Sequence, residues 1–229
     1  MVANPRNKPD AEQIRIVLRP LGSPLPMGFF AFAVGVSLTA VQSLGWVPPS
    51  NANLIAMVGL VYCLPLELAG SAVAFVARDA GAATILAIFG MSWGVAGGAT
   101  LAFGPEAMLP ALGVLYWLLG LSCALIAVTG WATKPFFSVL LSLSAIRFGL
   151  MGAHELRRGV DLVQQLSGWL GLLLGVTAFY GGTALLLEDG RHHTVLPLFR
   201  RAQAQRALEG DLSAQIAEIE KEAGVRQQL

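Results

Sequence analysis

The sequence predicts an all-α, polytopic membrane protein with six transmembrane helices. Its composition is apolar, since 55% of the 229 residues are hydrophobic and only 13% are charged. Six long apolar segments hold most of the hydrophobic residues, and each is close to the roughly 20 residues that a helix needs to cross a bilayer. Their cores contain two formally charged side chains, Glu67 and Arg147. This composition is typical of packed transmembrane helices and unusual for a soluble domain.

The predicted spans follow one another through short links. Pro48 and Pro49 lie in the link after the first span, and Arg78 and Asp79 lie in the link after the second. Short links join antiparallel neighbours, so we expect one compact bundle. In order, the six spans are residues 27–47, 53–77, 81–103, 107–131, 135–153 and 162–187.

The distribution of Lys and Arg predicts that both termini face the cytoplasm. The tails, residues 1–26 and 188–229, and the second and fourth links lie on one side of an even-numbered bundle and contain most of the cations. The other side has only Arg157 and Arg158. Cations near span ends favour the cytoplasmic side. We therefore expect a multi-pass protein of the plasma or inner membrane, in contact with lipid, and residues 1–26 lack the apolar core of a signal peptide.

Several function classes fit the sequence poorly. A net charge of +1 without a basic, aromatic-rich cluster gives no reason to expect nucleic acid as a partner. Cys63 and Cys123 lie inside spans without metal-ligand spacing, so we expect no metal and no cofactor. No nucleophile elbow, P-loop or zinc-protease motif occurs, which argues against an enzyme. A small bundle with little mass outside the membrane favours transport.

Glycines mark faces at which helices can approach closely. Gly90, Gly94 and Gly98 recur every four residues on the third span, and Gly171 and Gly175 do so on the sixth. This spacing places them on one helix face, as in close helix pairs in membranes. We expect packing to be their main role.

Short motifs resemble those of the acetate uptake transporter family, which includes bacterial succinate-acetate permeases and yeast acetate and ammonia-export proteins. The sequence SPLPMGF at residues 23–29 resembles the NPAPLGL signature that opens the family's first helix. GWLG at 168–171, AFY at 178–180 and TVLP at 194–197 resemble later family elements in order and spacing. Residues 59–62, 89–93 and 136–138 also fall where the family has similar residues, so the match spans roughly residues 22–199.

The resemblance implies a six-helix transporter or channel for small monocarboxylates such as acetate, and possible succinate transport, in a homo-oligomer of six subunits. It also implies a pore in each protomer. The family's narrow point is a Phe, Tyr and Leu set, which corresponds here to Phe32, Phe89 and Val139. Loss of the phenol and the smaller Val should widen a hydrophobic gate slightly.

The sequence departs from the family at polar positions. The signature Asn becomes Ser23, Glu67 replaces a Gln, and Arg147 replaces a small apolar residue. A charged side chain at mid-membrane costs about 2.5 to 3.5 kcal/mol on insertion scales, so Glu67 and Arg147 should face the interior. Their depths permit a direct ion pair. Such a pair could be structural, or it could act in transport through substrate or proton binding.

Further polar positions are candidates for substrate contact. Pro24 and Pro26 prevent a regular helix start and leave backbone N–H groups near Met27 free, and such groups favour anions. We therefore expect a carboxylate near Ser23 and Met27. Further predicted pore residues are Tyr62, Tyr180 and Trp93, although Trp93 could equally serve in packing.

Two functions from different classes remain open. The first is proton-linked passage of monocarboxylates, and the second is a channel for uncharged solutes such as urea, short amides or ammonia. A membrane scaffold without a pore is a third.

Beyond residue 188, apolar residues at three- and four-residue spacing predict an amphipathic cytoplasmic helix that packs on neighbouring protomers, and residues 11–18 could form a shorter helix.

Overall fold

The computed structural model describes residues 22–157, 161–191 and 193–201. This part of the chain is helical and contains no strand. The helices are α1 Leu25–Ser43, α2 Ala52–Val58, α3 Leu64–Val76, α4 Ala80–Phe103, α5 Pro110–Gly130, α6 Pro135–Leu156 and α7 Asp161–Arg191. They form six apolar spans in the described residues, with Pro49–Val76 as the second, so the predicted fold class is confirmed. The predicted helices at both termini lie outside the described residues.

The second span is irregular in its middle. A π-helical turn, Gly59–Cys63, joins α2 to α3, and the amide of Leu64 bonds the carbonyl of Gly59. Pro65 follows at the start of α3, where its missing N–H and its ring disturb a regular α-helix. A π turn inserts one extra residue into a helix, so the side chains after it point in a different direction from those of an uninterrupted helix.

Glycines let neighbouring spans approach closely, as expected. A Cβ at Gly94 would lie 3.4 Å from the side chain of Leu64, and one at Gly97 would lie 2.8 Å from the carbonyl oxygen of Ala56. Gly97 therefore continues the close contact between these two spans. A Cβ at Gly98 would meet no neighbouring atom, so Gly98 does not take part in it. A Cβ at Gly171 would lie 2.8 Å from the Cβ of Ala40, so α7 packs directly against α1.

One end of the bundle contains the start of α1, the end of α7 and two of the links; we call it the tail end. The ammonium of Lys134 pairs with Asp79 at 3.0 Å and joins the two links. Residues 193–201 fold back here, because the amide of Arg201 donates to the carbonyl of Thr133 at 2.9 Å. Leu198 is only 2% exposed and belongs to the main buried cluster. The tail end is thus closed by the chain itself.

Candidate substrate pathway

Aromatic rings form a narrow contact in the middle of the bundle, which we call the neck. The rings of Phe32 on α1 and Phe89 on α4 are stacked, with centroids 4.6 Å apart and planes inclined at 28°. Phe148 on α6 lies 6.2 Å from Phe89, and Tyr116 on α5 stacks on Phe148 at 6.0 Å. Four helices therefore contribute to one aromatic layer.

Val139 does not belong to the neck, contrary to expectation. Its side chain is 43% exposed on the outer face of α6, whereas Leu140 and Leu141 are buried in the same cluster as Phe32 and Phe89. Successive residues of an α-helix are rotated by about 100°, so a shift of one or two positions separates an inner from an outer residue. The buried positions next to Val139 on this helix are therefore Leu140 and Leu141.

A large polar cavity, which we call the vestibule, opens at the end of the bundle opposite the tail end. Its volume is about 880 Å³, and its mouth includes Trp46, Pro48 and Glu106. Thr39, Arg147 and Ser167 line its deeper part. The vestibule therefore leads from the surface toward the neck.

A second, smaller space lies between the vestibule and the neck, and we call it the inner cavity. Its volume is about 30 Å³. Trp93, Tyr116, Arg147 and Met151 line both spaces, so the two adjoin each other. Phe32 and Phe89 close the inner cavity on the far side. A solute from the vestibule would therefore meet Arg147 before the neck.

Arg147 is held in place by neutral oxygen atoms from two helices. Its Nε donates to the carbonyl of Ser167 on α7 at 3.2 Å, and an Nη2–H donates to the hydroxyl of Thr39 on α1 at 2.9 Å. Its side chain is 6% exposed. Gly171 makes room for it, because a Cβ there would lie 2.8 Å from Nε.

Glu67 lies elsewhere, behind Trp93. The indole N–H of Trp93 donates to Oε1 of Glu67 at 3.2 Å, and the residue is completely buried between α3 and α4. Oε2 has no hydrogen-bond partner in the described part of the chain. Both charged residues face the interior, but no ion pair joins Glu67 to Arg147 within the described ranges, so that expectation was wrong. Glu67 faces α4, whereas Arg147 faces α1 and α7.

The two predicted pore tyrosines occupy other places. Tyr62 belongs to the π turn and is 40% exposed on the outside of the bundle. The hydroxyl of Tyr180 donates to the carbonyl of Pro197 at 2.9 Å, which fastens the segment after α7. Neither tyrosine lines the vestibule or the inner cavity.

The predicted anion site at the start of α1 lies at the tail end, away from the vestibule. Ser23 and Met27 are exposed, and Pro26 is buried in the first turn. Pro24 is the N-cap residue, and no side chain caps the helix. Pro24 has α-helical dihedral angles, and its carbonyl accepts a hydrogen bond from the amide of Gly28 at 3.2 Å, so the helix starts regularly and the expected irregular start was wrong. Binding of a carboxylate here stays a prediction.

Tyr116 is the main residue of the pathway that the sequence analysis missed. It lies on the buried face of α5, and a signal for it exists in the sequence. Small residues recur at three- and four-residue spacing around it, which marks the inner face of this span. The members of this face are Gly113, Tyr116, Gly120, Cys123 and Ala127.

Comparison with known proteins relates this architecture to a channel. No family model matches the chain, and no curated protein sequence matches it. The structure is similar to that of the bacterial acetate channel SatP, with a TM-score of 0.69 and 18% sequence identity. The match covers 78% of this chain and 99% of SatP. The chain therefore shares its fold with this protein.

Proposed function

We propose that the protein conducts small monocarboxylates across a cell membrane, through a pathway inside each protomer. One observation carries the proposal: a polar vestibule narrows to an inner cavity with a buried arginine and ends at an aromatic neck. Such a hydrophobic constriction restricts passage to small solutes. The fold shared with the acetate channel SatP supports acetate-like solutes as the substrate class.

The buried cation favours an anion over an uncharged solute. Arg147 is the only Lys or Arg that lines the vestibule among the described residues. A guanidinium can bind a carboxylate through two parallel hydrogen bonds, which it cannot make with urea. Passage of urea, short amides or ammonia is therefore the alternative outcome of the transport test.

Proton linkage is part of the proposal. A carboxylate crosses an apolar neck more easily when its charge is neutralised, because burial of an unpaired charge is costly. Glu67 is a buried carboxyl group one side chain behind the neck, through Trp93. Both termini are proposed to be cytoplasmic, so that the vestibule faces outward, and the assembly is proposed to be a hexamer.

Proteoliposomes test the function directly. Radiolabelled acetate uptake should exceed that of empty liposomes and should accelerate under an inward proton gradient. Stopped-flow measurement with urea should show no acceleration over empty liposomes. Phe89→Trp, which fills the inner cavity with a larger ring, should reduce acetate uptake strongly. Fast urea flux without acetate uptake would contradict the proposal, and full acetate uptake by Phe89→Trp would place the pathway elsewhere.

A further inference from the structure

We propose that Arg147 and Tyr116 form a carboxylate-binding site at the inner cavity, with the acyl chain of the ligand against Phe32 and Phe89. This inference rests on the proposed function and specifies where its substrate is selected. The site is built from four helices, since α6 provides Arg147, α5 provides Tyr116, and α1 and α4 provide the two rings.

Arg147 has hydrogen-bonding capacity left for a ligand. A guanidinium has five N–H groups. Two of them bond Ser167 and Thr39, and no other hydrogen bond of Arg147 occurs within the described ranges. The two existing bonds fix the plane of the guanidinium. Its remaining N–H groups belong to a side chain that lines both cavities. A positioned, desolvated guanidinium of this kind suits a planar carboxylate.

Tyr116 is the second donor. Its ring is fixed by stacking on Phe148, and its hydroxyl makes no hydrogen bond to any residue that the structure describes. Tyr116 is close enough to interact electrostatically with Glu155 and with Arg147. A buried tyrosine hydroxyl normally has a partner. An anion bound to Arg147 would provide one.

The other hydroxyls of the inner cavity do not compete as donors. The hydroxyl of Ser92 donates to the carbonyl of Phe89 at 2.7 Å, and that of Ser144 donates to the carbonyl of Leu140 at 2.9 Å. Their single protons are therefore used within their own helices. Arg147 and Tyr116 remain as donors. Two donors favour a ligand that only accepts hydrogen bonds.

Arg147 is the one charged residue among the described residues that line the inner cavity. Glu106 and Glu155 line the vestibule instead. An anion would thus find its most favourable position beside Arg147.

The size of the inner cavity limits the acyl chain. A water molecule needs about 10 to 15 Å³ by the same measure, so a volume of about 30 Å³ admits only a few heavy atoms. Phe32, Phe89 and Leu174 make its inner wall apolar. The site therefore fits acetate or propionate, and longer chains would have to open the neck.

Ligand binding can be measured without transport, by saturation-transfer NMR on the full-length protein in nanodiscs with acetate as the probe. Arg147→Lys keeps the positive charge but loses the forked arrangement of N–H donors. We expect at least about tenfold weaker acetate binding, since hydrogen bonds to charged groups contribute about 1.5 to 3 kcal/mol. Tyr116→Phe should also weaken binding about tenfold or more by loss of one such bond. Acetamide and pentanoate should bind the wild-type protein more weakly than acetate does.

Arg157→Gln is the matched control, because Arg157 is an exposed arginine at the same end of α6 and lines neither cavity. Its acetate binding should equal that of the wild type. The result for Arg147→Lys counts only if this variant has the size-exclusion profile and the melting temperature of the wild-type protein. Tyr116→Phe, which removes one oxygen atom, decides the question if Arg147→Lys does not fold.

The outcomes separate this inference from the proposed function. Acetate binding that depends on Arg147 and Tyr116, without uptake in proteoliposomes, would support the site and overturn the function. Acetate uptake with unchanged binding in Arg147→Lys and Tyr116→Phe would overturn the site and support the function. Absence of acetate binding to the wild type, or binding of acetamide as strong as that of acetate, would also overturn the site.

Discussion

The indole N–H of Trp93 donates a hydrogen bond to the carboxyl of Glu67 at 3.2 Å, directly behind the aromatic neck. This bond joins α4 to α3 at a completely buried position. Trp93 also lines the inner cavity and packs edge-to-face against Phe32, with centroids 6.4 Å apart. One side chain thus connects a buried acid to the wall of the pathway.

Loss of this donor should destabilise the membrane domain. Trp93→Phe leaves the Glu67 carboxyl without a hydrogen-bond donor, which costs about 1 to 3 kcal/mol for a buried polar group. The free energy of unfolding can be measured by titration with SDS. Trp93→Phe in a Glu67→Met background should cost less, because no buried acid is then left without a partner.

Trp117→Phe is the control for that change. Trp117 donates to the carbonyl of Gly149 at 3.1 Å, but its side chain is exposed on α5. Solvation or lipid rearrangement can compensate for an exposed bond more easily than for a buried one. A Trp93→Phe variant that is no less stable than Trp117→Phe would contradict the importance of the buried bond.

Phe89→Ala should widen the neck. The ring of Phe89 stacks on Phe32 and closes the inner cavity, so its removal should raise acetate uptake several-fold and should admit butyrate and pentanoate. Uptake of a series of labelled acids into proteoliposomes measures both effects. Phe103→Ala on the same helix is the control, because Phe103 is 66% exposed and lies far from the neck. Unchanged chain-length selectivity in folded Phe89→Ala would show that the neck is not the selective point.

Asp79 should make stability depend on pH in the acidic range. Burial alone would raise the pKa of its carboxyl, but Lys134 and the amide of Ala82 hold that pKa below its ordinary value. A lowered pKa in the folded state stabilises the protein above the unfolded pKa of about 3.9, and this stabilisation is lost as the pH falls through the folded pKa. Wild type should therefore be more stable than Asp79→Asn at neutral pH, with a difference that shrinks below about pH 4.

Melting temperatures between pH 3 and 7 would measure this difference. Asn at position 79 can still accept the bond from the Ala82 amide, which is 3.0 Å from Oδ1 of Asp79, so the comparison isolates the charge. Asp189→Asn, at an exposed position of α7, serves as the control. A constant difference across the range would exclude the ion pair with Lys134 as its cause.

The spans could be predicted because their hydrophobicity follows from bilayer thickness alone. The direction in which a side chain points within a span depends on finer geometry. The π turn at Gly59–Cys63 inserts a residue before Glu67, and the sequence pattern does not reveal it. An added residue changes the direction of every later side chain by about 100°. Glu67 lies after this turn and faces Trp93 on α4.

Arg147 illustrates a second limit. The sequence correctly indicates that it faces the interior, because an unpartnered cation in lipid is costly. Its partners are a backbone carbonyl and a threonine hydroxyl, and such oxygens occur in every span. The sequence favours an acidic partner for a buried cation, and it does not reveal these neutral ones. Val139 shows a related difficulty, because a difference of one or two residues is enough to exchange the inner and outer faces of a helix.

The side chain of Leu198 should keep residues 193–201 packed on the tail end, so that this end stays closed. It is buried in the same cluster as Phe29, and its segment is held by Tyr180, by the amide of Arg201 and by an ion pair of Arg200 with Glu188. Leu198→Ala removes the apolar contact, which costs about 2 kcal/mol or more at a core site, and leaves the polar contacts in place. Faster hydrogen exchange in residues 193–201 and higher acetate uptake should follow. The neighbouring Phe199 is 64% exposed, so Phe199→Ala should change neither. Faster exchange without higher uptake would mean that this segment covers the bundle without obstructing the pathway.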